Sequence, residues 1–273
     1  MEKQTPLLSI RLEILPGTTV LEQIENAKAF GYGAIALPGR FKDRWLPQLR
    51  GCLKDSPLPM ASLSLGFRNS LISPSAEKRA ACRDSIVELL DLCAELGATL
   101  LNVPPCLIQD NAERITDTGG YGSVSERLDA LLAEQLPAIG DAARERGVMF
   151  LLEPVNKYES DYLNSIEHAA AICETVNHSH LGLTADFFHM QMEELKPADA
   201  IQRSSKWIHH VHVAENTRVE PGPGSLDFAP GFRALKDAGY DGLIETECRW
   251  LSGPAAKVLP ESVSCLKSVW TRA

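Results

Sequence analysis

Short apolar runs alternate with longer amphipathic stretches along the chain. Eight runs rich in aliphatic and β-branched residues stand out, at 7–15, 34–37, 60–66, 99–103, 148–154, 181–186, 207–213 and 242–248. Each is nearly continuous in apolar character, as expected of parallel strands buried on both faces. The segments between them carry helix punctuation. Ser73-Pro74 predicts a helix start, with Ser as cap and Pro in the first helical position. Ser123 and Glu126 form a capping-box pair, followed by Leu128, Leu131, Leu132, Leu136 and Ile139 on one helical face. Pro137 within that run predicts a kink or an early end. Asn164 with Glu167 opens another helix, and a further one starts near Phe228. Gly31, Gly97, Gly147 and Gly239 each stand just before a strand run, where a left-handed cap closes the preceding helix.

Eight βα units over this length, about 34 residues each, predict a single (β/α)8 TIM barrel spanning residues 1–273 as one domain. A doubly wound sheet is the alternative. The eightfold count and the lack of a G-x-G-x-x-G fingerprint after the first run speak against it. The longest stretch without periodicity, residues 104–122, is a candidate active-site loop.

Charge and cysteine content narrow the partners. Lys plus Arg number 27 and Asp plus Glu 36, a net charge of −9. Nucleic acids and anionic membranes select basic surfaces, so neither is expected as a partner. The seven cysteines are odd in number and none forms a C-x-x-C pair, which points to a reducing cytoplasm. No signal-like apolar segment and no 18-residue apolar stretch stands out, so neither export nor membrane insertion is expected.

In such barrels, reactive groups sit at the C-terminal ends of the strands. The fifth run ends in Glu153, the sixth in Asp186, the seventh carries His210 and His212, and the eighth carries Glu245 and Glu247. Buried charge is unfavourable unless it is paired or holds a metal. Three carboxylates and one imidazole at one mouth therefore predict a single divalent cation. The donor set suits Mn or Mg, with Co or Zn as alternatives. Taken singly, each residue has a plainer use: a strand-end Glu as a salt-bridge partner, Asp186 as a cap, His212 as a core histidine, or Glu245 in place of Glu247. Their succession on four consecutive strand ends favours the cation.

At these residues the sequence resembles the xylose-isomerase-like TIM-barrel superfamily, in particular its sugar isomerase and epimerase group, which includes D-tagatose and D-psicose 3-epimerases and hydroxypyruvate isomerase. The resemblance covers essentially the whole chain. It is carried by Glu153-Pro-Val-Asn156-Lys-Tyr-Glu159, Asp186-Phe-Phe-His189-Met190, His210-Val-His212-Val-Ala-Glu215-Asn216-Thr-Arg218 with Pro-Gly-Pro-Gly224 following, and Tyr240-Asp-Gly242 leading to Glu247. It implies Glu153, Asp186, His212 and Glu247 as metal ligands and Glu153 with Glu247 as the acid/base pair. Glu159, His189 and Arg218 become substrate-contacting groups. His210 is expected one layer lower in a structural role. Glu247 is preferred to Glu245 because it lies five residues after Gly242 and nearer the mouth. The implied enzyme is an isomerase, a metal-dependent ketose 3-epimerase acting through an enediolate; a free rather than phosphorylated sugar is expected because no glycine-rich loop after the seventh or eighth run would cradle a phosphate. Aldose–ketose or hydroxypyruvate-type isomerisation and an inosose-type dehydratase are the alternatives on the same scaffold. The resemblance also implies a homodimer or homotetramer. The chain departs from the group at Lys157, where Arg is common, at Asn102-Val-Pro-Pro105-Cys106, which lacks a glycine-rich run, and at Glu245 and Cys248-Arg249-Trp250, which are more polar than usual. An abasic-site endonuclease would need further histidines at other strand ends; a non-catalytic sugar-binding protein is the remaining class, marked by metal binding without entry of solvent deuterium into any sugar.

Overall fold

The computed structural model describes residues 6–108 and 114–273. Eight strands form a closed parallel barrel in chain order: β1 (Leu8–Arg11), β2 (Ala34–Pro38), β3 (Met60–Ser64), β4 (Leu100–Val103), β5 (Met149–Leu152), β6 (Leu181–Asp186), β7 (Ile208–Val213) and β8 (Leu243–Thr246). Pairing of β1 with β8, Ser9 opposite Glu245, closes the ring. The TIM barrel expected from the alternation is thus the fold observed. The helices are α1 (Val20–Phe30), α2 (Lys42–Cys52), α3 (Ala76–Leu96), α4 (Val124–Glu145), α5 (Ile166–Val176), α6 (Phe187–Glu193), α7 (Pro197–Ser204), α8 (Ala229–Asp237) and α9 (Ala255–Arg272). The β6–β7 connection carries both α6 and α7. Apolar residues from strands and helices, among them Ile10, Ile35, Leu63, Phe150 and Phe232, are fully buried between the two layers.

Local chemistry explains the boundaries, including those the sequence misplaces. Ser123 caps α4 as expected, accepting the Glu126 N–H at 3.1 Å. Pro137 does not end α4, which runs on to Glu145. The buried stripe of Leu132, Leu136, Ile139 and Ala143 holds the helix across a proline that would otherwise cost about 3 kcal/mol. The α3 cap is Ser75, not Ser73. The Ser73 hydroxyl is taken by the Ser75 N–H and its carbonyl by the Arg79 guanidinium. Similarly, Asn164 does not cap α5; its amide donates to the carbonyls of Val155 and Ser160, and Ser165 caps instead. β1 stops at Arg11, where a 3-10 turn (Leu12–Ile14) takes over a run that the sequence predicts as strand throughout. Gly31 and Gly97 adopt φ of 97° and 75°, the left-handed region that glycine enters without a Cβ penalty.

The barrel interior is polar toward its C-terminal end. Ser62, Asn102, Thr184, His210, His212 and Glu245 are all at most 1% exposed. Such groups persist in a core only when bonded to one another or to a ligand.

Candidate active site

Glu153 and Glu247 occupy matching places, each one residue past its strand. The Glu153 N–H donates to the Val103 carbonyl at 3.2 Å and the Glu247 N–H to Val213 at 3.1 Å, so the ladder fixes both backbones. Their side chains converge on His212 Nδ1, Glu153 Oε1 from 2.9 Å and Glu247 Oε2 from 3.1 Å. With Asp186 these residues offer four buried ligand atoms, all within 4.8 Å of one another. All four residues named for the cation from the sequence therefore come together. Glu245 lies opposite His212 in the ladder, a layer below Glu247, and bonds His210.

The donor set fits a divalent cation. Asp186 accepts the Phe188 N–H on Oδ1 at 2.7 Å, whereas Oδ2 is buried with no hydrogen bond. Oδ2 faces His189 Nε2 at 3.4 Å and Arg218 Nη2 at 3.8 Å without a hydrogen bond, and it stands among two further carboxylates, a crowding that a bound cation would relieve. Burial, with Glu247 and Glu153 nearby and despite Arg218, pushes the Asp186 carboxyl up to about 7. Burial works against a charged His212, but the carboxylates of Glu247 and Glu153 outweigh it and hold its imidazolium well above the usual range. Burial likewise opposes the Glu247 carboxylate, and His212, Arg11 and Arg218 together hold it well below the usual range.

Above this cluster stand the three residues assigned to substrate contact. Arg218 reaches Glu247 Oε2 with Nη2 at 3.1 Å and Glu159 Oε1 with Nη1 at 3.3 Å. Its guanidinium stacks on Phe188, 4.3 Å from the ring centroid. The His189 Nδ1 atom accepts the Asn156 backbone N–H at 3.2 Å, so the ring proton of the neutral imidazole sits on Nε2. Burial and Arg218 keep that imidazole neutral, its pKa lowered to about 3. Arg218 Nη1 and His189 Nε2, two donors 3.2 Å apart, suit a single acceptor oxygen. A surface salt bridge to Glu215 or Glu220 would be a plainer use of Arg218, but its guanidinium pairs instead with Glu159, Asp186 and Glu247.

Arg218 is held by the loop it belongs to. The buried Glu215 carboxylate accepts the N–H groups of Gly222 and Leu226 at 2.8 and 3.0 Å. Its backbone carbonyl accepts the Arg218 N–H at 2.7 Å, and Arg218 takes a left-handed φ of 59°. A Cβ on Gly224 would sit 2.2 Å from the Glu215 carboxylate. The Pro-Gly-Pro-Gly segment is a cradle for the protein's own anion.

Several residues join the site beyond those that the sequence assigns to it. Arg11, at the end of β1, donates to Glu247 and also pairs with Glu13. Asn102, at the end of β4, donates to Glu153 Oε2 at 2.7 Å, and the Thr184 hydroxyl donates to Asn102 Oδ1 at 2.6 Å, which fixes the amide. Asn156 orients His189. Arg249 meets Glu159 Oε2 at 3.4 Å. For Arg11 the signal available was a charged side chain closing an apolar strand, the same signal that marked Glu153. Together these residues line or support a cavity of about 390 Å³ at the barrel mouth, with Arg40, Pro104, Leu107 and Trp250 at its walls. Pro104 and Leu107 belong to the expected active-site loop, of which 109–113 lie outside the described residues.

The pattern of the xylose isomerase-like TIM barrel family matches residues 24–269. The chain belongs to that family. Among its relatives, 3-dehydro-D-guloside 4-epimerase of Escherichia coli is 24% identical over 249 residues, 91% of this chain and 94% of the relative. Ketose 3-epimerase of Arthrobacter globiformis is 30% identical over 214 residues, 77% of this chain and 70% of the relative. The crystal structure of an apo 3-keto-D-glucoside 4-epimerase from E. coli superposes with a TM-score of 0.84 at 22% identity, covering 96% of this chain and 99% of that one. A D-psicose 3-epimerase structure gives 0.75 at 19% identity, covering 97% and 96%. These two structures speak for the fold. The family's relatives are named as epimerases and isomerases, in agreement with the isomerase class expected from the sequence. Among the described residues, no helix is long and apolar enough to cross a membrane.

Proposed function

We propose that this family member is a divalent-cation-dependent sugar isomerase or epimerase that moves a proton on the carbon beside a carbonyl, and more finely a 3-epimerase of free ketoses. The observation that carries this reading is the convergence of Glu153 and Glu247 on one imidazole nitrogen from two different strands. Inversion at carbon needs one group to take a proton from one face and another to return one to the opposite face. Two carboxylates entering the same space from β5 and β8 supply such a pair. Proton transfer of this kind contributes about 10²–10⁴-fold.

Glu153, Asp186, His212 and Glu247 would hold the cation, and their three oxygens and one nitrogen favour Mn or Mg over Co or Zn. When bound, the cation supplies Lewis-acid polarisation of the substrate carbonyl. The rest is the work of the chain. Asn102 aims Glu153, Arg11 and Arg218 aim Glu247, and the donors of His189 and Arg218 receive a substrate oxygen. Glu159 and Arg249 complete a polar wall for hydroxyl groups. The free, unphosphorylated form of the sugar is favoured because the N–H groups of Gly222 and Leu226, which could otherwise cradle a phosphate, already hold Glu215. The sequence-based expectations of one domain, a cytoplasmic setting and a homodimer or homotetramer belong to the same proposal.

A second reading, epimerisation at C4 of a 3-keto sugar, is favoured by the near full-length match to 3-dehydro-D-guloside 4-epimerase. Its chemistry at the proton is the same, on a carbon beside a ketone. The test is incubation of the Mn-loaded protein with ketoses and 3-keto sugars in D₂O, read by NMR. Deuterium at C3 of a ketose is the expected outcome. Deuterium at C4 of a 3-keto sugar selects the second reading, and deuterium at C1 makes the enzyme an aldose–ketose isomerase. No carbon-bound deuterium in any sugar, with cation bound, leaves a sugar-binding protein and overturns the proposal.

A further inference from the structure

Directly beneath the four-residue cluster lies a second buried group that the proposed chemistry does not use. Glu245 on β8 is wholly buried. Its Oε2 accepts from the Ser62 hydroxyl of β3 at 2.5 Å and faces His210 Nε2 of β7 at 3.0 Å. Its Oε1 has no hydrogen bond. The nearest counterpart is His212 Nε2, 3.8 Å away, which is also buried and without a bond. Two buried, unbonded polar atoms therefore face each other at 3.8 Å, one an acceptor and the other a potential donor.

We propose that Glu245 is a positioning residue, held from below by Ser62 and His210, that fixes His212 with Nδ1 toward the four-residue cluster and strengthens it as a donor to a divalent cation. This rests on the cation-dependent reading above. A histidine that ligates through Nδ1 must carry its ring proton on Nε2, and that proton needs an acceptor. Glu245 Oε1 is the acceptor in line. Ser62 and His210 occupy only Oε2, which aims the carboxylate and leaves Oε1 for His212. Closure from 3.8 Å to hydrogen-bond distance needs only a small tilt of the imidazole as Nδ1 exchanges its proton for the cation. A glutamine of the same shape would satisfy Ser62 equally well, so packing alone gives no reason for a buried negative charge here. The charge has its effect through the imidazole, by making Nδ1 a stronger electron-pair donor.

The experiment measures binding of Mn²⁺ alone by calorimetry in wild type and E245Q, together with ¹⁵N NMR of the imidazoles in the Mg²⁺-loaded wild type. Expected are one cation per chain in both proteins, a dissociation constant raised about 10–100-fold in E245Q, and a His212 ring proton on Nε2. Unchanged affinity in a folded E245Q overturns the inference, as does a ring proton on Nδ1 in the loaded wild type, a measurement that needs no variant. Two cations per wild-type chain would overturn it as well, because His210, His212 and Glu245 would then be ligands of the second. A wild type that binds no cation fails at the earlier step and refutes the cation-dependent reading itself.

Discussion

The two halves of the barrel contribute differently to one site. Strands β5 to β8 end in the four residues that converge as ligands, Glu153, Asp186, His212 and Glu247. Strands β1, β3 and β4 end in or carry groups that touch the acidic residues from the other side. Arg11 reaches Glu247, Ser62 reaches Glu245 and Asn102 reaches Glu153. One half supplies the charge and the other restrains it. The division shows that a cluster of acids in a barrel is set up by strands of the other half, two of them direct neighbours of the acid-bearing strands, whose residues need no reactivity of their own.

The largest effects should follow from the charged half. Glu153→Gln and Glu247→Gln should each lower kcat about 10²–10⁴-fold, read as loss of deuterium wash-in. Asp186→Ala and His212→Ala should lose the bound cation by metal analysis. Full stoichiometry retained in both would break the assignment of charge to β5–β8. The restraining half comes next. Arg11→Met leaves Glu13 and Glu247 without their shared guanidinium, a loss of about 3 kcal/mol in stability for a broken buried pair. Since Arg11 helps hold the Glu247 carboxyl low, its removal raises that pKa. The acid limb of the kcat/KM profile should therefore move to higher pH, and an unmoved limb would mean that Arg11 only packs.

Asn102→Ala removes a hydrogen bond to a charged group, worth about 1.5–3 kcal/mol. Its kcat should fall on the order of tenfold or more, and the melting temperature should drop by several degrees. The pH dependence of cation binding sharpens the same contrast. Asp186 has its pKa raised from 3.8 to about 7 by burial, so the cation-free protein loses stability as pH rises between those values. The gain in melting temperature on adding Mn²⁺ should accordingly be larger at pH 8 than at pH 5.5, and an equal gain at both would remove Asp186 from the ligand set. The smallest effect belongs far from either half. Ser123→Ala should cost about 1 kcal/mol of stability through the lost α4 cap and leave turnover alone.

The two halves also differ in how well the sequence reveals them. A Glu, Asp or His closing a run such as Met149–Leu152 is out of place in an apolar strand, which makes the ligand half legible from four short motifs. The eightfold alternation and the junction glycines make the barrel legible for the same reason, because each is a local pattern. Arg11 is as incongruous as Glu153, but its partner Glu247 lies 236 residues away and is brought near only when β1 closes on β8. Ser62 and Asn102 are uncharged residues common in strands, and nothing local distinguishes them from filler. Helix starts failed where several candidate caps crowd together. Ser73 and Ser75, or Asn164 and Ser165, differ in which backbone groups compete for their side chains, and that is settled by the surrounding loop.

The loop from Glu215 to Leu226 bears on heredity as much as on chemistry. Its carboxylate at 215, the left-handed backbone at 218 and the bare Cα at 224 are usable only together. An exchange of segments between family members that splits this stretch would deliver an arginine aimed elsewhere, although every residue of the pocket floor had been kept. Descent and laboratory recombination alike must pass residues 215–226 on as a single unit.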